Sequence, residues 1–473
     1  MSGLILVSLN QSGHSTLSTI YAGILARRKG TWISWDGTRE TARADALRQL
    51  TSRCDSDFNT LTFPLTDDEY EQGYHGYVHK GMWPVFHQRA DLAHFTAVYL
   101  VQYQSLNKAY ARAVTECAGP DDDIWIQDYH LIPCVRLLRD AGLNNPVGFF
   151  LHQPFPPGLG IEAIPEWQWL AESLLCCDLI GFQTQRDMNS FLLWIESTFR
   201  AERIAPTAFK VRGRTISIGV FPAGIDTRDA LTLSESEGCS TIEQQCRDTL
   251  PESIILSGGH LDDSAGLPYR ISAMEALLQA HPQYTGNATL LQLASPAAGH
   301  SCLSRDISHH LESLCGGMNG AHGTLNWYPV SCLTTSYSRE QQAGIYRAAR
   351  VALVTPLVAG MSLMAKMYIA LQDPDDPGVL VLSKFAGAAE QMKEAMIVNP
   401  YDPQEIAEAI HSALHLPLAE RRKRHGRLLR QLTLHDSHWW AEAFLSRLHQ
   451  TKRGEPDWHG EKHLPSPVTY GKT

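Results

Sequence analysis

The sequence predicts an α/β protein made of two doubly wound parallel-sheet domains in tandem, and three observations predict it. The chain has 473 residues, room for two or three domains at roughly 150 residues each. Short β-branched and aliphatic runs alternate with longer stretches of helical periodicity, the rhythm of parallel strands joined by crossover helices. The short runs are continuously apolar, as strands buried on both faces must be.

Taken in order, residues 4–8 follow Met1-Ser2-Gly3 with no basic residue ahead, and the run is too short for a signal-peptide core, so it reads as the first strand. Runs at 124–127, 147–151 and 179–182 complete a first set. Residues 231–251 are polar, with Ser-Glu-Ser-Glu-Gly and a Gln-rich patch and no clear apolar face, and read as the connection between domains. Runs at 254–256, 290–293, 351–354 and 379–382 form the second set. The stretch 351–371 approaches membrane length, but Pro356, Gly360 and Lys366 interrupt it, so a strand, a glycine turn and a helix explain it better. Helical patterns follow at 403–416 and 417–432, then a segment around Trp439-Trp440, and after Lys452 the composition shifts to Gly, Pro, Lys and His. The expected organisation is therefore a first domain at 1–232, a second at 233–433, a helix at 434–452 returning to the first domain, and a disordered tail at 453–473.

Composition excludes some partners. Lys plus Arg is 40 and Asp plus Glu is 50, a net charge of −10, without a long run of like charge. A nucleic acid partner needs a clustered basic face, which is absent. The hydrophobic content of 44% is ordinary for a soluble chain with a large core, and no membrane partner is expected. Ten cysteines lie without C-x-x-C spacing, Cys176-Cys177 being the only adjacent pair, and read as reduced, mostly buried thiols of a cytoplasmic protein.

Two such domains imply a cleft with ligands at strand ends and helix N-termini. Fold alone does not choose the ligand. His411 and His415 stand at i, i+4, but Ser412 occupies the place of a zincin glutamate, and His309-His310 reads as solvent-facing. No G-x-x-x-x-G-K-[ST] or G-x-S-x-G pattern is present. Asp121-Asp122-Asp123 reads as a solvated loop, whereas Asp128 sits just past a buried strand, where ligand-contacting residues occur. His152, ahead of Gln153-Pro154-Phe155-Pro156-Pro157, reads by itself as a core histidine.

The strings Ile124-Trp125-Ile126-Gln127-Asp128-Tyr129-His130 and Gly148-Phe149-Phe150-Leu151-His152 resemble the retaining glycosyltransferases of the trehalose-6-phosphate synthase family. So do Trp83-Pro84-Val85-Phe86-His87, Cys177-Asp178-Leu179-Ile180-Gly181-Phe182-Gln183-Thr184, Leu382-Ser383-Lys384-Phe385-Ala386-Gly387-Ala388-Ala389 and Val398-Asn399-Pro400-Tyr401-Asp402. The resemblance runs from Leu4 to about Leu448. It implies the two-domain glycosyltransferase B fold, no metal or other cofactor, and glucosyl transfer from UDP-glucose to glucose 6-phosphate. It also implies Asp128 and His152 as catalytic positions and Trp35, Tyr74 and Trp83 as the acceptor-sugar wall. Aromatic faces suit the apolar face of a pyranose. Without the resemblance, Trp35 and Trp83 read equally as core.

The donor side departs from the family. A metal-free transferase stabilises its leaving diphosphate with fixed cations and backbone N–H groups. Where the family places an Arg and, five residues on, a Lys, this chain has His260 and Ala265. Ser15-Thr16 takes the place of the paired glycine after the first strand, where side chains crowd a phosphate. Ala359 and Met367 replace the acidic residue for the transferred glucose and the Glu for the ribose. Gly360, Met361, Ser362 and Leu363 still offer backbone N–H groups at a helix start. Asn10 and Ala298 stand in for two acceptor-phosphate arginines. The expectation is a family member with impaired UDP-glucose transfer, with two alternatives: transfer with a changed donor or acceptor, or a regulatory partner of an active synthase subunit. Expected ligands are a sugar phosphate and a nucleotide sugar, with homo-oligomer formation open.

Overall fold

Among the described residues, sixteen strands segregate into two sheets. The structure, a computed structural model, describes residues 3–10, 16–41, 50–54, 57–295 and 302–453, with only the backbone course for Asn10, His260, Ser295, 302–306, 452 and 453. The first sheet holds β1 (Leu4–Asn10), β2 (Thr31–Glu40), β3 (Thr51–Cys54), β4 (Asn59–Thr66), β5 (Asp123–Gln127), β6 (Val147–Leu151), β7 (Leu179–Phe182), β8 (Glu202–Ala205), β9 (Ala208–Val211) and β10 (Arg214–Val220). Their order is β3-β4-β2-β1-β5-β6-β7-β10-β9-β8, parallel from β4 to β10 with antiparallel strands at the edges. The second holds β11 (Ser253–His260), β12 (Ala288–Ser295), β13 (Val330–Leu333), β14 (Val351–Val354), β15 (Val379–Ser383) and β16 (Met396–Val398). It is wholly parallel, in the order β13-β12-β11-β14-β15-β16. Each sheet reverses direction of winding once, between β1 and β5 and between β11 and β14, and the crevices at those points are where doubly wound sheets bind ligands.

The helices are α1 (Thr16–Arg28), α2 (Trp83–Phe86), α3 (Ala97–Cys117), α4 (Ile132–Asp140), α5 (Trp167–Leu174), α6 (Gln185–Phe199), α7 (Thr227–Ser234), α8 (Glu237–Thr249), α9 (Leu267–Ala280), α10 (Cys302–His322), α11 (Arg339–Ala348), α12 (Leu363–Leu371), α13 (Pro403–Leu414), α14 (Leu418–Leu434) and α15 (Ser437–Arg453). None of them, among the described residues, is long and apolar enough to cross a membrane. A wide helix, Glu69–Met82, precedes α2, and the Trp83 N–H bonds back five residues to the Val78 carbonyl. Five-residue hydrogen bonding stretches the side-chain repeat beyond four residues, so Tyr70, Tyr74, His79 and Trp83, spaced four, five and four apart, share a side.

The eight runs read as strands are the buried parallel centre of both sheets. The sequence reading missed β2, β3, β4, the β8–β10 set and β13, whose polar residues break the apolar runs, and β16, which is only three residues long. The expected connection at 231–251 is helical instead: α7 and α8 fill it, and Cys239, Ile242, Cys246 and Leu250 make a narrow apolar stripe. Two of its four members are cysteines, which hid the stripe. The acidic run is a loop only in part: Asp121 is exposed in a turn and Asp122 accepts N–H bonds from Gly3 and Gly119, whereas Asp123 is buried at the start of β5.

The helix α15 lies on β5, β6 and β7. Trp440, Phe444 and Leu448 are buried there, and the Phe444 ring stacks on Trp125 at 4.8 Å. Gly148 and Gly181 make the approach possible, since a Cβ at either would stand 2.6 or 2.7 Å from the Phe444 ring.

Candidate functional site

The first wall of the cleft begins where β5 and β6 end. Asp128 follows β5 with φ of 67° and ψ of 165°, a conformation that a side-chain-bearing residue adopts at a cost of about 1–3 kcal/mol and one common at functional sites. Its Oδ1 accepts the His152 N–H at 3.1 Å and its Oδ2 the Gln153 amide at 3.3 Å. Burial pushes the Asp128 carboxyl up to about 6, against those hydrogen bonds.

His152 is held on both ring nitrogens. The Ala223 N–H donates to Gln183 Oε1 at 2.8 Å, which turns the Gln183 amide nitrogen toward His152 Nδ1 at 3.1 Å. Nδ1 therefore accepts, and Nε2–H donates to Gln127 Oε1 at 2.9 Å with the Tyr21 hydroxyl 3.0 Å away. Burial pushes the imidazole down to about 3, so the ring is neutral. Its two nitrogens are committed within the protein, which makes the ring a spacer that fixes the backbone at the end of β6. Sequence reasoning missed Tyr21, Gln127 and Gln183, although Gln127 and Gln183 stand inside the strings it singled out.

Trp35 and Tyr74 come together, with ring centroids 6.5 Å apart. Tyr70 lies 5.2 Å from Trp35, while His79 and His130 flank Tyr74 at 4.5 and 6.1 Å. Burial and the nearby His152 push His130 down to about 3. Trp83 sits apart from this cluster and stacks on His87 at 4.0 Å. Burial lowers the His87 imidazole, opposed by the charge of Asp262 on the facing domain and by the Gln153 side chain. Trp83 itself packs on the core of the first domain.

The second wall is the end of β11 and the turn into α12. Asp262 Oδ1 accepts the N–H groups of Ser264 and Ala265, both at 2.9 Å, shaping a turn that ends at Gly266 with φ of 73°. Gly is required there, since a Cβ would stand 2.5 Å from the Thr355 carbonyl. Ala265 is buried. Beneath it, fully buried Arg270 binds Ala265 O at 2.6 Å, Ser257 Oγ at 2.7 Å, Gly258 O at 3.1 Å and Thr355 Oγ1 at 3.0 Å. Burial lowers this guanidinium to about 9.

The 359–363 turn presses against the first domain. Ala359 pairs with Ala386, and a Cβ on Gly360 would collide with the His152 carbonyl. The Met361 carbonyl accepts the Ala388 N–H, Ser362 has φ of 82°, and Leu363 touches apolar clusters of both domains. Lys366 is buried between Ala223 O at 2.6 Å and Gln391 Oε1 at 2.7 Å, and burial lowers its amine to about 7. Met367 packs with Leu233, Tyr346 and Leu371 in an apolar cluster. The Asn10 and His260 side chains, Ser15 and Ala298 lie outside the described residues, and Thr16 opens α1. His411 and His415 lie away from the cleft and share the Tyr284 hydroxyl through their Nδ1 atoms at 3.0 and 3.1 Å.

The sequence model of glycosyltransferase family 20 matches residues 7–450. The chain belongs to glycosyltransferase family 20. The trehalose-6-phosphate synthase of Cronobacter sakazakii is 36% identical over 446 residues, covering 94% of this chain and 93% of that protein. That of Klebsiella pneumoniae is 36% identical over 463 residues, covering 96% and 97%. Among solved structures, the E. coli protein bound with UDP-2-fluoro glucose superposes with a TM-score of 0.89 at 36% identity, covering 95% of this chain and 99% of that one. The α,α-trehalose-phosphate synthase (UDP-forming) of Burkholderia xenovorans in complex with glucose-6-phosphate gives 0.90 at 34% identity, covering 95% and 100%. This family 20 member is a trehalose-6-phosphate synthase-like glycosyltransferase with the glycosyltransferase B architecture.

Proposed function

We propose that the chain transfers glucose with retention from UDP-glucose to glucose 6-phosphate, slowly, because its donor wall has exchanged charged groups for apolar ones. The observation that carries this reading is the contrast between the two domains: Trp35, Tyr74, Asp128 and His152 stand in an aromatic and hydrogen-bonded frame, while the expected donor positions hold a buried Ala265 methyl and a Met367 packed among Leu233, Tyr346 and Leu371. The ligands of the two solved relatives support the substrate classes.

In this mechanism the acceptor hydroxyl attacks on the face from which the diphosphate departs, and the leaving phosphate oxygen takes its proton. No metal takes part. The developing charge falls to the backbone N–H groups at the start of α12, helped by the helix dipole. Asp128 and the neutral His152 ring hold the β6 terminus in place, and the backbone there orients the transferred sugar. Each missing leaving-group donor costs about 10²–10³ in rate.

The test is a synthase assay on the wild type beside His260→Arg/Ala265→Lys/Ala359→Asp/Met367→Glu. A gain of about 10²-fold or more in the restored variant is expected. Efficient turnover by the wild type, with no gain on restoration, overturns the reading.

A changed donor is the second reading, favoured by Asp263, a half-buried carboxylate in the donor turn that disfavours a diphosphate. A thermal-shift panel of nucleotide sugars, cyclitol nucleotides and sugar phosphates separates the two, and silence toward all but UDP-glucose and glucose 6-phosphate removes it.

A further inference from the structure

In the second domain, away from the cleft, α10 lies across β13 in a register fixed by one side chain. Asn319 on α10 donates from Nδ2 to the Val330 carbonyl at 2.9 Å and accepts the Val330 N–H on Oδ1 at 3.1 Å. One turn toward the start of α10, about 6 Å along the axis, stands Cys315. Two residues along β13, about 6.6 Å and on the same face, stands Cys332. A helix crossing between parallel strands runs antiparallel to them, so both steps go the same way and bring the residues opposite one another. The two thiols are in hydrogen-bond contact and share one apolar cluster, with Cys315 buried and Cys332 half-buried.

We propose that Cys315 and Cys332 form a redox-active dithiol that closes to a disulfide by exchange with a small disulfide of the oxidised glutathione class. The hydrogen bond donated by Cys315 lowers the Cys332 thiol and raises that of Cys315, so the more accessible sulfur is the nucleophile. The Cys332 thiolate attacks one sulfur of oxidised glutathione, forming a mixed disulfide and expelling one glutathione thiolate. Cys315 then loses its proton, attacks Cys332 Sγ and expels the second glutathione. Two protein thiols are oxidised and one glutathione disulfide is reduced to two thiols, which balances electrons and protons. The product ties α10 to β13.

The reduced full-length chain is incubated with oxidised glutathione, acid-quenched, alkylated, digested and mapped by mass spectrometry. A 315–332 cross-linked peptide, lighter by two hydrogens than the free pair, is expected in the wild type, reversed by dithiothreitol. Cys315→Ser should trap a glutathione adduct on Cys332, and Cys332→Ser should leave Cys315 unmodified, with thermal midpoints under reducing conditions reporting that both variants fold. Exposed Cys54 and Cys117 serve as references for unassisted thiols. Wild type in which Cys315 and Cys332 both stay alkylatable, or in which an adduct persists on Cys332 unresolved, overturns the proposal, whatever Cys54 and Cys117 do.

Discussion

The two walls of the cleft differ in what their buried groups do for one another. On the first, Gln183, His152, Gln127 and Tyr21 form a chain of hydrogen bonds in which each ring nitrogen and amide oxygen has a named partner. On the second, the positions where the family resemblance expects donor-binding charges hold a methyl, a thioether and backbone, and buried Arg270 is turned inward to hold the turn from below. A wall of interlocked polar groups changes with difficulty, because any single replacement leaves a partner unsatisfied. A wall of separate charges can lose them one by one without harm to the fold.

The largest effect that sharpens this contrast is expected from Trp35→Ala. The side chain is buried against Tyr70 and Tyr74, and its removal should cost about 3–5 kcal/mol in urea unfolding. Trp35→Phe should retain most of that stability yet raise KM for glucose 6-phosphate, and an unchanged KM would reduce Trp35 to a packing role. Next comes Ala265→Lys alone, expected to raise kcat/KM for UDP-glucose about 10²-fold. A comparable change in a first-wall residue with no donor contact would break the contrast.

Acid titration separates the walls more finely. His130 and His152 are held near 3, below their unfolded value, so the unfolded chain takes up protons first and stability falls as pH drops below about 6.5, by about 2 kcal/mol per histidine at pH 5. Asp128 and Asp187 are raised by burial to about 6, so the folded state takes up their protons first, and each returns about 1 kcal/mol between pH 6 and 5. His152→Gln should therefore flatten the loss of stability between pH 6.5 and 5, and Asp128→Asn should steepen it. Identical slopes in both variants would contradict the opposed signs. The smallest effect belongs to Tyr21→Phe, expected to cost about 1 kcal/mol by removing one neutral hydrogen bond to Gln127, measured in the same unfolding series.

Legibility in the sequence followed burial. The strands buried on both faces were readable because nothing interrupts their apolar runs, whereas Thr31–Glu40 and Asn59–Thr66 carry polar residues and were not. Among site residues, Asp128 could be singled out because it follows such a strand, and His152, Trp35, Tyr74 and Trp83 because of the family resemblance. The alignment of Tyr70, Tyr74, His79 and Trp83 on one side could not be read, since it depends on a helix whose hydrogen bonds span five residues. Nor could the inward turn of Arg270: a residue in a helix pattern gives no sign of which carbonyls lie beneath it.

The placement of α15 on β5, β6 and β7 has a consequence for synthesis. Translation delivers the first sheet hundreds of residues before Trp440, Phe444 and Leu448, so the glycine-lined floor at Gly148 and Gly181 stays wet and exposed while the whole second domain is being made. A truncated first domain presents that apolar face permanently, which makes it a substrate for chaperones and a seed for aggregation. The helix α15 thus closes the first sheet only after the second domain has been made.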